Sequence, residues 1–343
     1  MQRRSLLAAP ALLPLAAALP AAAQPAGVAF EEALVPGGSP GVELYVRNKR
    51  PEAGRPGRPD RVVVCLHGSS YPSSTSYDLS LAGVSWMDYI AGRGFDVWSV
   101  DLRGYGRSTR PPAMAQPADR NPPVGNAEES AADLAAALRH IRRVAGVQKT
   151  VLMGWSYGTT LAALHAQNNP GEVERIVMLG PRWLDRATEG QGDPLGAWRP
   201  VTRAEARQHW LREVPDNKRR DLIPLGWFEH WADTTFATDP EGSRQVPSVL
   251  RVPTGSLIHT RETWFSGRPA YDPGRITCPV LLVTGEWDRD TPTAMAANLF
   301  PLLTNAPGKR QVVLAEGTHM MMLERNRGAL FQSVQVFLEE AIA

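Results

Sequence analysis

The pentapeptide Gly154-Trp155-Ser156-Tyr157-Gly158 constrains this chain more than any other segment. An apolar run, Thr150 to Met153, leads into it, and a helix-forming run, Thr159 to Gln167, leads out. A serine between two glycines at a strand-to-helix turn sits on a sharp bend, its hydroxyl lifted clear of the sheet. The glycines are needed because the backbone passes so close to its neighbours that a side chain would collide. The competing reading is a glycine-rich turn that happens to contain serine. Partners for a nucleophile elsewhere in the chain decide between the two.

Strands and helices alternate around this turn. Val28 to Val35 and Val42 to Val46, separated by the Pro36–Gly41 turn, predict an N-terminal hairpin. Arg50 to Pro59 reads as a loop. Val62-Val63-Val64-Cys65-Leu66 is too continuously apolar for a half-exposed strand and predicts a buried one. A helix is expected from Gly83 to Ala91, and a strand from Phe95 to Val100. After a Pro- and Arg-rich loop, Asn126 is a helix N-cap with Glu128 and Glu129 in the first turn. Leu134, Leu138 and Ile141 recur at helical spacing behind it. Further strands are expected over Glu174–Leu179, Pro279–Gly285 and Gln311–Leu314, with helices from Pro292 to Leu303 and from Asn326 to Ala341. Such alternation predicts an α/β fold, a mostly parallel sheet with helices on both faces, whose sites lie beyond the carboxyl ends of the strands.

Three strand ends carry chemistry. Ser156 follows one. Asp288 follows the strand that ends at Gly285, and His319 follows the last strand. A serine hydroxyl needs a base to take its proton as it attacks. Histidine suits that task near neutral pH, and a buried carboxylate sets its tautomer and stabilises the imidazolium. Asp290 is the rival acid, but its place beside the Thr291-Pro292 helix start favours Asp288. The two backbone N–H groups of an oxyanion hole are expected from Tyr157 and Ser69. His67 is expected to brace the loop that carries Ser69 and is also a substrate-binding candidate.

With these motifs the chain resembles the α/β-hydrolase superfamily. The likeness runs through His67-Gly68-Ser69, Asp101 to Ser108, Gly154 to Gly158, Gly285-Glu286-Trp287-Asp288 and Gly317-Thr318-His319. It implies an eight-stranded sheet with a mainly helical cap inserted after the sixth strand. It also separates the strands bearing Cys65 and Cys278, which agrees with reading both cysteines as buried and unpaired. Asp101 to Ser108 resembles a segment that is mostly structural in the family. Serine at position 156 speaks against the branches with a carboxylate nucleophile, the haloalkane dehalogenases and epoxide hydrolases. His67-Gly68-Ser69-Ser70 departs from the His-Gly-Gly-Pro-Gly of proline iminopeptidases and from the Gly-Gly-Gly of many lipases, which weakens a peptidase reading without excluding it.

The organisation expected is a core of residues 28–181 and 273–341, with a helical cap over 182–272. That cap holds Trp183, Trp198, Trp210, Trp227, Trp231 and Trp264, six of the ten tryptophans. At least half of these are expected only to pack the cap onto the core. Arg182 and Trp183, which open it, are pocket candidates. His209, His230, His259 and Glu229 lack metal-site spacing and read as surface residues. The expected activity is cleavage of a small ester or lactone, with an apolar or aromatic substrate and with neither cofactor nor metal. The alternatives are amide or peptide cleavage, for which Glu229 or Glu262 would grip a substrate amine, and a catalytically idle binding protein.

Residues 1–23 read as an export signal. Arg3-Arg4 precedes Leu6-Leu7, an apolar stretch follows, and Ala21-Ala22-Ala23 offers a cleavage pattern. The pair of arginines favours the twin-arginine type over a general secretory signal, and either route implies a bacterial protein in the periplasm or outside the cell. Pro10, Pro14 and Pro20 argue against a permanent membrane helix. Without Arg3 and Arg4 the basic residues equal the 35 acidic ones, and no basic stripe suggests nucleic acid.

Overall fold

The computed structural model describes residues 27–184 and 195–341. The export-signal segment lies outside the described residues. Among the described residues ten strands appear in chain order: β1 (Val28–Pro36), β2 (Glu43–Pro51), β3 (Val62–Leu66), β4 (Asp96–Val100), β5 (Thr150–Trp155), β6 (Val173–Leu179), β7 (Trp198–Thr202), β8 (Val249–Pro253), β9 (Val280–Gly285) and β10 (Lys309–Leu314). Eight of them form one sheet in the order β1-β2-β4-β3-β5-β6-β9-β10. β2 runs antiparallel to β1 and β4, and every later pair is parallel.

Burial explains that order. β3, β4, β5 and β9 are buried at every position, as continuous apolar runs covered on both faces must be. The two edge strands, β1 and β10, are partly exposed and carry Glu31, Glu32, Lys309 and Arg310, charges that discourage pairing with another edge. The helix Ala127–Ala145 begins at a capping box between Asn126 and Glu129 and stops at left-handed Gly146, φ 68°. Cys65 and Cys278 are free and buried, and β5 and β6 lie between β3 and β9 in the sheet.

Two local expectations change. β2 continues through Pro51, past the Val46 end expected for it. Arg50 and Pro51, expected to open a loop, belong to the strand. In the structure Lys49 is buried between Asp78 at 2.7 Å and Asp88 at 2.5 Å, so its charge is compensated inside the strand. The helix expected from Gly83 starts later, at Trp86, because Ser85 and Asp88 form a capping box there.

Between β6 and β9 the chain leaves the sheet. Its described part holds the helices Arg203–Trp210, Trp227–Phe236 and Gly255–Glu262, and also an antiparallel ribbon, β7 with β8. The sequence reading contained no such ribbon. Arg251 hides it, sitting in β8 yet buried, with Nη2 2.6 Å from Asp239 Oδ1 and Nη1 donating to the Met114 carbonyl at 2.6 Å. The ribbon rests on the loop after β4. Ala197 donates to the Ala118 carbonyl at 2.8 Å and Gly255 to the Val124 carbonyl at 2.9 Å. A Cβ on Gly255 would stand 2.3 Å from the Gly125 backbone, so only glycine allows that approach. Among the described residues no helix is long and apolar enough to cross a membrane.

Candidate active site

Ser156 occupies the turn between β5 and the helix Tyr157–Asn168, at φ 53° and ψ −118°. That backbone is unfavourable for an L-residue by about 1–3 kcal/mol and persists only where the surroundings hold it. They do so here. The Ser156 N–H donates to the Leu179 carbonyl of β6 at 2.8 Å. A Cβ on Gly154 would lie 2.4 Å from the Gly158 carbonyl, and one on Gly158 would lie 2.5 Å from the Leu66 carbonyl. A Cβ on Gly68 would lie 2.9 Å from the Ser156 Cβ, so the loop after β3 passes directly over the serine.

Asp288 and His319 meet because the loops after β9 and β10 interlock. Trp287 donates from its backbone to the Gly317 carbonyl at 2.8 Å, and a Cβ on Gly285 would lie 2.3 Å from that same oxygen. His319 Nδ1 lies 2.8 Å from Asp288 Oδ2. The carboxylate is fully buried and also accepts from the N–H groups of Asp290 at 3.0 Å and Thr291 at 2.8 Å, and from the Thr291 hydroxyl at 2.8 Å. The Trp155 indole N–H donates to the His319 carbonyl at 2.9 Å, fixing the far side of the residue. Burial disfavours a charged His319. The charge and hydrogen bond of Asp288, with the charge of Asp290, outweigh it and hold the pKa above the ordinary 6.5.

Asp290 faces elsewhere. Its Oδ1 lies 2.5 Å from Arg212 and 3.2 Å from His209, both on the segment between β6 and β9. Although it is half-buried, its carboxyl is held well below the usual range by His209, His319 and Arg212. Asp288, Asp290 and His319 each offer a ligand atom, all within 4.8 Å of one another. The hydrogen bonds and ion pairs above already account for that closeness.

Ser156 and His319 line one cavity of about 120 Å³, together with Ser69, Ser70, Tyr71, Trp155, Arg182, Arg199, His209 and Asp290 among others. It lies between larger hollows. One of about 910 Å³ shares Ser70, Tyr71, Arg199 and His209 with it, and another of about 440 Å³ shares Arg182, Leu257 and Asp290. Tyr157 is the first residue of its helix, a position whose N–H has no partner within the helix. The Tyr105 hydroxyl donates to the Ser69 carbonyl at 2.9 Å and so orients the Ser69 loop. Trp183 lines the 440 Å³ hollow with Trp264, against which it packs.

His67 lines none of the described cavities. It is buried, its Nδ1 lies 2.7 Å from the Gly68 carbonyl, and its Nε2 accepts the Leu102 N–H at 3.1 Å. Burial lowers its pKa, which suits a neutral ring that donates from Nδ1 and accepts at Nε2. His209 is exposed, as expected, and His259 is half-buried. His209 lines the cavity, and His259 Nδ1 lies 3.0 Å from the Tyr157 hydroxyl. Glu229 and Glu262 line none of the described cavities. Asp101 accepts from the Ser74 N–H and hydroxyl, at 3.0 and 2.8 Å, in a structural role.

The sequence reading missed Thr291, Arg199 and Glu324. Thr291 was visible only as part of a helix start. Arg199 lies in the unread ribbon and donates to the Ser70 hydroxyl at 2.8 Å. Glu324 is buried beneath the histidine loop, accepting from the Thr318 N–H at 3.1 Å, the Thr318 hydroxyl and the Trp210 indole at 2.9 Å. Burial pushes its carboxyl up to about 7 despite these donors.

The model of the alpha/beta hydrolase family matches residues 63–332. A proline iminopeptidase of Neisseria meningitidis is 33% identical over 265 residues, covering 70% of this chain and 78% of that protein. Plant 1-acylglycerol-3-phosphate O-acyltransferases from Oryza sativa and Arabidopsis thaliana also match, and the chain spans only 42% of their length. Among solved structures, a 2-hydroxy-6-oxo-6-phenylhexa-2,4-dienoate hydrolase from Rhodococcus sp. strain RHA1 superposes with a TM-score of 0.60 at 16% identity, covering 92% of this chain and 100% of that one. An esterase from Thermogutta terrifontis gives 0.55 at 18% identity, covering 90% and 98%.

Proposed function

The chain belongs to the alpha/beta hydrolase family, and from that premise we propose that it is a serine hydrolase cleaving carboxylic esters through an acyl-enzyme. The observation that carries this reading is the 2.8 Å contact of His319 Nδ1 with buried Asp288, beside a cavity that His319 shares with Ser156. In this reading Ser156 Oγ attacks the ester carbonyl carbon as His319 Nε2 takes its proton. The carbonyl electron pair moves onto oxygen, where the N–H groups of Ser69 and Tyr157 receive the charge. The intermediate collapses, the C–O bond to the alcohol breaks, and His319 returns the proton to that oxygen. Water then attacks the acyl-enzyme, giving its proton to His319. His319 passes it to Ser156 Oγ as the carboxylic acid leaves.

The test is turnover of a short-chain aryl ester with labelling by a fluorophosphonate. Ser156→Ala is expected to lose at least about a thousandfold in kcat and all labelling. Near-full turnover by that variant would defeat the proposal. A folded wild type that neither labels nor turns over any ester would favour the idle binding protein.

Similarity to the proline iminopeptidase supports a second reading, cleavage of an N-terminal residue. Two observations weigh against it. Glu229 and Glu262, the acids expected to hold a substrate amine, stand away from the described cavities, whereas Arg182 and Arg199 stand at the serine. Aminoacyl-arylamides assayed beside acyl esters separate the readings. Export through a twin-arginine signal is also proposed from Arg3-Arg4. Replacing both by lysine should retain the protein in the cytoplasm, and unchanged export would refute that route.

A further inference from the structure

Among the described residues, two arginines that line the cavity at Ser156 form no ion pair. Arg182 enters directly after β6, and Arg199 enters from β7. Among the described residues, neither guanidinium has a carboxylate oxygen within the 4.0 Å that defines an ion pair. The Nε of each is buried and lacks a hydrogen-bond partner. Arg199 spends one Nη on the Ser70 hydroxyl, and Arg182 makes its hydrogen bond through the backbone, to Thr159 Oγ1 at 3.4 Å. One carboxylate, Asp290, lines the same cavity, but it is engaged by Arg212 at 2.5 Å and His209 at 3.2 Å.

Charge in such a place is costly. A desolvated guanidinium is stable when paired and hydrogen-bonded, and its planar fork matches a carboxylate bidentately. Two buried arginines obey that rule, Arg251 with Asp239 at 2.6 Å and Arg103 with Asp133 at 2.7 Å, and two others, Arg175 and Arg327, direct both Nη atoms at backbone carbonyls. Among the described residues, the half-buried guanidinium groups of Arg182 and Arg199 meet neither a carboxylate nor a backbone carbonyl, and both lie in the space where a substrate would lie against Ser156. That coincidence points to a ligand that supplies the missing charge.

We propose that the physiological substrate is an anionic ester, carrying a carboxylate within a few bonds of the scissile carbonyl, and that Arg182 and Arg199 hold that carboxylate. This rests on the serine-hydrolase reading and narrows its substrate class. It also revises the expectation of a purely apolar or aromatic substrate. Trp183 and Trp264 line the hollow beyond Arg182, so an apolar remainder has a place to lie.

The test compares p-nitrophenyl hydrogen glutarate with p-nitrophenyl pentanoate, acyl groups of equal length that differ by one charge. Wild type should favour the anionic ester at least tenfold in kcat/KM, and added salt should erode that preference as it screens the attraction. Arg182→Gln should reduce the preference at least tenfold, mainly through KM, and Arg182→Lys should restore part of it. Glutarate should inhibit pentanoate turnover by wild type competitively, whereas chloride at equal ionic strength should not. This last measurement stands even where a variant fails to fold. Equal turnover of the two esters by wild type, or equal inhibition by glutarate and chloride, would overturn the proposal. Failure of the serine-hydrolase reading looks different: no ester is turned over and Ser156 takes no label.

Discussion

The loops at the strand ends and the segment between β6 and β9 build the candidate site by different physics. In the loops, position follows local chemistry. A buried apolar strand must stop, and the residue after it projects from the carboxyl edge of the sheet. Glycines at 68, 154, 158 and 285 then let those loops touch. In the β6–β9 segment, position follows partners distant in sequence. Arg251 is placed by Asp239 and the Met114 carbonyl, Trp210 by Glu324, and His209 and Arg212 by Asp290. The first region carries the candidate chemistry and the second the candidate selectivity. Residues that position the candidate reacting groups thus lie in loops that follow directly on buried strands, while pocket residues ride on a segment attached at separate points.

The sharpest way to break this contrast is to compare two aspartates in one loop. Asp288→Asn is expected to lower kcat by about a thousandfold or more, by losing the tautomer and charge support of His319. Asp290→Asn should cost about tenfold or less, because its partners lie in the other region; steady-state kinetics of both variants decide. Equal losses would erase the division of labour.

Next in size is Arg251→Ala, which leaves buried Asp239 without its main counter-charge. A loss of about 3 kcal/mol is expected in urea unfolding. Hydrogen exchange should show protection falling in β7 and β8 before the central sheet. A uniform loss would mean that the two regions unfold as one.

Glu324→Ala probes the seam between them. It strips acceptors from the Trp210 indole and the Thr318 N–H, and about 1–3 kcal/mol of stability should go with them. Turnover should fall too, since Thr318 precedes His319; a stable variant with full turnover would show that the seam carries no load.

The smallest effect is in pH dependence. His319 must be neutral to take a proton, so kcat/KM should rise with pH. Its raised pKa places the midpoint above 6.5. In Asp288→Asn the main support for the imidazolium is gone while burial still opposes it, so the residual activity should show a lower midpoint. An unchanged midpoint would mean that another group titrates.

Much of the first region was legible in the sequence. The strand Val62–Leu66 lies where its apolar run predicts it. Asn126 caps its helix through the expected side chain, and Asp288 rather than Asp290 contacts His319. Legibility failed where charge is buried. Lys49 hid the second half of β2, and Arg251 hid the ribbon, because a paired buried cation looks in sequence like a loop residue. The tryptophans of the β6–β9 segment divide between packing and lining. Trp210 and Trp231 pack with Phe228 and Tyr71 in an aromatic cluster, whereas Trp183 and Trp264 line a hollow.

What the sequence by itself determined is the sheet, the serine turn and the placing of Ser156, Asp288 and His319 each just after a strand. Each depends on residues adjacent in the chain, where apolar runs and glycines act at short range. Only the tertiary structure decided which arginines reach Ser156 and which find carboxylates. Compensation of a buried charge depends on groups far apart in sequence, and the fold brings them together.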